Sequence, residues 1–221
     1  MKRLPNPGRK LFYLITDGTL TSENFHSEKE KLLRFFEKAV RRKISLIQIR
    51  EKKLPARLAL ALTKAAVRLT QKSETAVLVN DRADIALAAG ADGVHLTSSA
   101  IPTEAVRRDF PEDFIIGVST HSSAEIKIAG RQGADFATFG PVFPTPSKAE
   151  YGPVQGLEKL NRVCRELKPF PIIALGGIDR ANFPVVLESE AAGLAGISFF
   201  LDEENLDLWG DRPSEREQSG K

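Results

Sequence analysis

Eight short apolar runs, each followed by a helical pattern, constrain this chain more than any other feature. The runs are LFYLI (11–15), SLIQI (45–49), AVLV (76–79), GVHL (93–96), FIIGV (114–118), FATF (136–139), IIAL (172–175) and AGISFF (195–200). Strands that alternate with helices make βα units, and βα units make a parallel sheet. The first connection carries Leu32, Leu33, Phe36, Ala39 and Val40 at helical spacing, with a capping box from Ser27 to Glu30. The second carries Leu58, Ala61, Leu62, Ala65, Ala66 and Leu69. Further helices are expected at 81–89, 103–108, 122–131, 156–167 and 179–189, with a weaker one near 203–209.

Eight such units within 221 residues give the size and order of an α/β fold of the (β/α)₈ TIM barrel type. A doubly wound sheet fits less well. It often carries G-x-G-x-x-G after its first strand, and here that segment reads TDGTLTSENFHSE. The expected layout is an N-terminal arm at 1–10, one barrel domain at 11–209, and a polar, disordered tail at 210–221.

Composition narrows the function. Net charge is +3, without the clustered basic face and stacking aromatics of a nucleic-acid binder. Neither a run of about 18 apolar residues nor an apolar signal core is present, so no membrane partner is expected and the location reads as cytoplasmic. The single Cys164 sits in a helical stretch and reads as a small buried hydrophobe. Both a monomer and a homodimer are compatible with the sequence.

A barrel keeps its chemistry at the C-terminal ends of its strands. The polar residues collect there: Thr16 and Asp17, then Gln48, Arg50 and Lys52, then Asn80 and Asp81, then His95, Ser119 and His121. Gln48 and Arg50 share one side of their strand by the period of two. Such groups facing the barrel interior need an anion or a partner ion. Arg with Lys suits a phosphate-like group; an ion pair from Arg50 to Asp81 or Glu51 is the structural alternative. Asp81 either caps the next helix or serves as a Mg²⁺ ligand. The glycine pair Gly176 and Gly177 opens a strand-to-helix turn of the kind that binds phosphate. His95 reads as a hydrogen-bonded interior residue. The Pro- and Gly-rich stretch FGPVFPTPSKAEYGPVQG (139–156) forms a long loop at this same end.

QIREK, NDRADIALAAGADGVHL, GVSTHS, GPVFPTPSK and ALGGI stand in the order and spacing of one known family. From about Leu11 to Phe200 the chain resembles the thiamine phosphate synthase and TenI-like barrel family. The resemblance implies a synthase that joins 4-amino-5-hydroxymethyl-2-methylpyrimidine diphosphate to a thiazole phosphate, with Mg²⁺ as cofactor and small phosphorylated molecules as partners. By motif, Gln48, Arg50 and Lys52 would hold the pyrimidine diphosphate, with Asn80 and Ser119 also touching it. Asp81 would bind Mg²⁺, and Lys148 would reach the diphosphate. Thr145 and Ser147, with Gly176 or Gly177, would hold the thiazole phosphate. Arg50, Lys52 and Lys148 would carry the catalysis.

Two positions depart from the family pattern. Ala100 stands where a second Mg²⁺-binding Asp is usual, and Leu201 where a phosphate-donating Ser is usual. The resemblance also admits a TenI-like thiazole tautomerase, which tends to carry a His where this chain has Pro141, and a non-catalytic barrel that binds a phosphorylated ligand.

Overall fold

The computed structural model of the chain describes residues 4, 9–145 and 153–208. Ser147, Lys148 and the tail 210–221 lie outside them, as does most of the arm 1–10.

Eight strands close into a parallel barrel in chain order. They are β1 (Leu11–Ile15), β2 (Leu46–Ile49), β3 (Ala76–Asn80), β4 (Gly93–Leu96), β5 (Ile115–Thr120), β6 (Phe136–Phe139), β7 (Ile172–Leu175) and β8 (Gly193–Gly196). Closure comes from β8 against β1, with Leu11 opposite Gly193. The helices are α1 (Phe25–Arg41), α2 (Ala56–Thr70), α3 (Ala83–Ala89), α4 (Thr103–Asp109), α5 (Ser123–Arg131), α6 (Gly156–Glu166), α7 (Phe183–Glu188), α8 (Ser198–Leu201) and α9 (Glu203–Asp207).

Period two divides each strand between two cores. Residues such as Leu14, Ile47, Val77 and Val94 face outward and pack under the helices with Phe36 and Leu62. Each fully buried side chain of this kind contributes about 1.5–3 kcal/mol. Tyr13, Leu46, Leu78, Ile115, Phe136 and Ile173 face inward and fill the barrel. The rings of Tyr13, His95 and Phe136 meet there, with centroids 5.6–5.8 Å apart. Gly117 makes the room: a Cβ at that position would lie 2.3 Å from the Phe136 ring.

Three sequence expectations are corrected. The capping box at Ser27 does not form. Helix α1 begins at Phe25, whose buried ring anchors the turn, and the Ser27 hydroxyl donates to the Asn24 carbonyl instead (3.0 Å). Helix α7 starts at Phe183 rather than 179, because Asp179 and Asn182 turn their side chains onto nearby backbone N–H groups. The strand expected at 195–200 is Gly193–Gly196, and Phe199 and Phe200 are helical. Their large rings mimic a buried strand, a known ambiguity of short apolar runs.

Candidate functional site at the C-terminal end of the barrel

A cavity of about 550 Å³ opens at the C-terminal ends of the strands. Most of the residues that line it are polar. Strand β2 and its extension contribute Gln48, Arg50 and Lys52, all facing the cavity. Asn80 comes from β3, His95 from β4, Ser119 from β5 and Thr138 from β6. Thr145 reaches in from the long loop after β6. Thus Gln48, Arg50, Lys52, Asn80, Ser119 and Thr145 are brought together, as the sequence indicates.

Among the described lining residues two cations, Arg50 and Lys52, stand against one carboxylate, Asp17. Among the described residues no ion pair engages Arg50 or Lys52. The expected structural alternative, Arg50 paired to Asp81 or Glu51, is therefore not what forms. Glu51 is buried and turns away, accepting from the Leu20 N–H (2.9 Å) and the Gly18 N–H (3.3 Å). It anchors the loop after β1, which carries Asp17 to the cavity rim. Arg50 is fixed through its backbone N–H, which donates to the Thr16 hydroxyl (2.8 Å).

Deeper in, the polar side chains are held by aromatic ones. Gln48 Nε2 donates to the Tyr13 hydroxyl at 2.7 Å. Burial pushes the Tyr13 phenol well above its ordinary range, so it stays neutral at any working pH. His95 Nε2 and Ser119 Oγ share a hydrogen bond of 2.9 Å, which makes His95 the bonded interior residue the sequence suggests. His121 Nδ1–H donates to the Gly140 carbonyl (2.6 Å) and so steadies the root of the long loop.

Asp81 neither caps a helix nor lines the cavity. Its backbone sits at φ 57°. Its carboxylate accepts from Thr97 N–H (2.7 Å), the Thr97 hydroxyl (2.9 Å) and Asn80 Nδ2 (2.9 Å). It ties the end of β3 to the turn after β4. Three donors leave a carboxylate one free lone-pair direction out of about four. Among the described residues there is no group of three His, Cys, Asp or Glu that could hold a metal. A Mg²⁺ at Asp81 would have this one carboxylate and would need most of its oxygens from a ligand. Ala100 packs against the core and offers no second carboxylate.

Gly176 and Gly177 stand behind the wall rather than on it. Their φ values are 99° and 67°, and a Cβ on Gly177 would come within 2.5 Å of the Phe143 and Pro144 carbonyls. Phe143 N–H donates to the Gly176 carbonyl (3.0 Å). The pair lets β7 end directly beneath the long loop, whose far side is pinned by Gln155 N–H to Pro141 O (2.8 Å).

The β8 end differs most from expectation. Leu201 closes α8 and does not reach the cavity; Ser198, at the start of α8, lines it. The strand ends four residues earlier than the sequence suggests, so the polar residue at its end is Ser198. Asn205 holds this turn in place: its Nδ2 donates to the Phe199 carbonyl (2.8 Å), and its Oδ1 accepts from Arg180 Nε in the loop after β7. Sequence reasoning missed Thr138, for which period two from Gly140 was the available signal; Thr97 and Ser98 belong to the polar TSS that follows β4, to which no role was given.

A closed parallel eight-stranded barrel with a polar, cationic cavity at the strand C-termini defines a (β/α)₈-barrel enzyme. The family model described as thiamine monophosphate synthase matches residues 12–200. A provisionally named thiamine-phosphate synthase of Geobacter sulfurreducens is 46% identical over 189 residues, covering 86% of this chain and 85% of its own. The thiamine-phosphate synthase of Methanocella arvoryzae is 40% identical over 194 residues, 88% of each chain. The solved thiamine phosphate pyrophosphorylase of Pyrococcus furiosus superposes with a TM-score of 0.74 at 31% identity, over 90% of this chain and 95% of that one. The chain belongs to the thiamine monophosphate synthase family.

Proposed function

We propose that the protein is a thiamine-phosphate synthase, a transferase of the thiamine-phosphate diphosphorylase type. It joins 4-amino-5-hydroxymethyl-2-methylpyrimidine diphosphate to a thiazole phosphate. The bond between the pyrimidine methylene carbon and the diphosphate oxygen breaks, and its electron pair leaves with pyrophosphate. The thiazole nitrogen lone pair then forms the new bond to that carbon. The observation that carries this reading is Arg50 and Lys52, in no ion pair among the described residues, gathered in one cavity with the buried amide of Gln48.

The chain's part is to bind, orient and neutralise. Arg50 and Lys52 hold the diphosphate and stabilise charge as it leaves. Gln48, Asn80 and Ser119 orient the pyrimidine half. From the cavity wall Thr145 contacts the phosphates; Ser147 and Lys148 would join it, roles that rest on the family motif. Gly176 or Gly177 would help hold the thiazole phosphate, and the pair packs against Pro141, Phe143 and Pro144. Asp81 would hold Mg²⁺ together with the diphosphate oxygens, adding charge neutralisation on the leaving group.

The tautomerase reading loses support, since buried Pro141 has no titratable group at the end of β6. The binding-only reading loses one of its two supports, because Ser198 and not Leu201 faces the cavity. Substrates that are small phosphorylated anions, retained inside cells, support a cytoplasmic location.

The test supplies purified protein with both phosphorylated halves, with Mg²⁺ and with chelator, and measures thiamine phosphate. Product in the Mg²⁺ arm, sharply reduced by chelator, is expected. No product at saturating Mg²⁺ would overturn the reading. Full turnover by Lys148→Ala would remove that residue's role alone.

A further inference from the structure

Thr138 is only 1% exposed and lies on the cavity wall, yet its hydroxyl has no hydrogen-bond partner among the described residues. A buried hydroxyl without a partner is uncommon and costly, so it asks for a physical reason. Solvation by bulk water is no answer at this exposure. Internal structure does not use the hydroxyl either. The backbone carbonyl of Thr138 already accepts from the Thr120 hydroxyl (2.8 Å), and only Oγ1 is left over.

Its position is informative. Thr138 pairs with Ser119 across β5 and β6. Ser119, His95 and Gln48 share the cavity with it, and each of their side chains has a hydrogen bond inside the barrel. Arg50 and Lys52 stand nearer the mouth, two and four residues beyond Gln48. A ligand with its charged groups at the mouth therefore puts its uncharged half at the depth of Thr138. A hydroxyl both donates and accepts, which suits a ring bearing an amino group beside a ring nitrogen.

We infer that Thr138 is a specificity-determining contact, its hydroxyl bonding the aminopyrimidine half of the substrate. The inference rests on the synthase reading for its ligand, and on burial and register for its place. The bonds broken and formed lie at the exocyclic methylene carbon, outside the ring that Thr138 touches. Loss of the contact is therefore read chiefly in binding.

Thr138→Val keeps the shape and removes only the hydroxyl. A structural role and a ligand role then predict opposite results for stability. Deleting an unpartnered buried hydroxyl leaves the urea midpoint unchanged or raised. The KM for the pyrimidine diphosphate should rise about five- to tenfold, with the KM for the thiazole phosphate and kcat within about twofold of wild type. An unchanged pyrimidine KM, or a fall in urea midpoint with both KM values rising together, would overturn the assignment. If wild type makes no thiamine phosphate, the synthase reading fails separately. Calorimetry with 4-amino-5-hydroxymethyl-2-methylpyrimidine, which carries no phosphate, then decides for Thr138. Tighter binding by wild type than by Thr138→Val sustains the contact; equal affinity or no binding sinks it.

Discussion

Gln48 and Tyr13 are joined by a 2.7 Å hydrogen bond although 35 residues separate them. Both are buried, at 1% and 0% exposure. The Tyr13 hydroxyl fixes the amide that the cavity presents to a ligand. Tyr13→Phe leaves a buried donor without its partner, which costs about 1–3 kcal/mol. A lower urea midpoint is expected, together with a several-fold rise in KM for the pyrimidine diphosphate. Steady-state kinetics and a urea titration check both; an unchanged KM would show that the amide holds its place without Tyr13.

Arg50→Met and Lys52→Met should each lower kcat/KM by about a hundredfold or more, the scale of losing a preorganised charge donor at a transition state. Stability should barely move, because neither side chain enters an ion pair among the described residues. Arg50→Lys should restore only part of the activity, since a point charge lacks the planar fork of guanidinium. Single-turnover measurements with the pyrimidine diphosphate would reveal a kcat left intact.

Glu51 is a structural carboxylate placed beside two functional cations. Glu51→Leu strips the Leu20 and Gly18 N–H groups of their acceptor and should cost about 2–3 kcal/mol. Glu51→Gln keeps one acceptor oxygen and should lose less. Hydrogen exchange at the Leu20 amide should accelerate in both variants, more in the first. Equal exchange in all three proteins would mean that the loop is held elsewhere.

Burial pushes the Cys164 thiol up to about 12 from 9.0. The neutral thiol is the form the fold favours, so its contribution is complete below about pH 9 and is lost as pH rises towards 12. Wild type should therefore lose more stability between pH 8 and 10.5 than Cys164→Ala. Thiol labelling at pH 8 should be slow in native protein and fast in urea. Fast native labelling would contradict the burial.

Asn205 bridges the turn that carries Ser198 and the loop that follows Gly176 and Gly177. A four-residue helix such as α8 does not hold itself in place. Asn205→Asp keeps the acceptor for Arg180 and sets a carboxylate oxygen against the Phe199 carbonyl. The expected result is a KM for the thiazole phosphate raised about tenfold, with the pyrimidine KM unchanged. Parallel rises in both would point to general loosening of the barrel.

The barrel was legible because its signals are local. Period two in LFYLI and SLIQI, and helical spacing after each, are written in consecutive residues. Gln48 and Arg50 could be placed on the inner side of β2 by the same period, and Glu51, one residue past Arg50, points to the other side. The family motifs then assigned chemistry to those positions. The β8 end was not legible. GISFF is equally apolar as a strand or as a buried helical turn, and only packing of Phe199 and Phe200 under α7 and α9 separates the two.

The sequence by itself determined the order of the βα units, the closed barrel they make, and which end carries the polar residues. Tertiary structure alone decided that Asp81 ties Thr97, that Glu51 anchors Leu20, that Ser198 replaces Leu201 at the cavity, and that the Thr138 hydroxyl on its wall has no partner among the described residues. Periodicity fixes the side of a strand on which a residue lies. It says nothing about which residue, tens of positions away, closure brings within 3 Å. That distance, and not the residue type, separates a ligand contact from a structural bond.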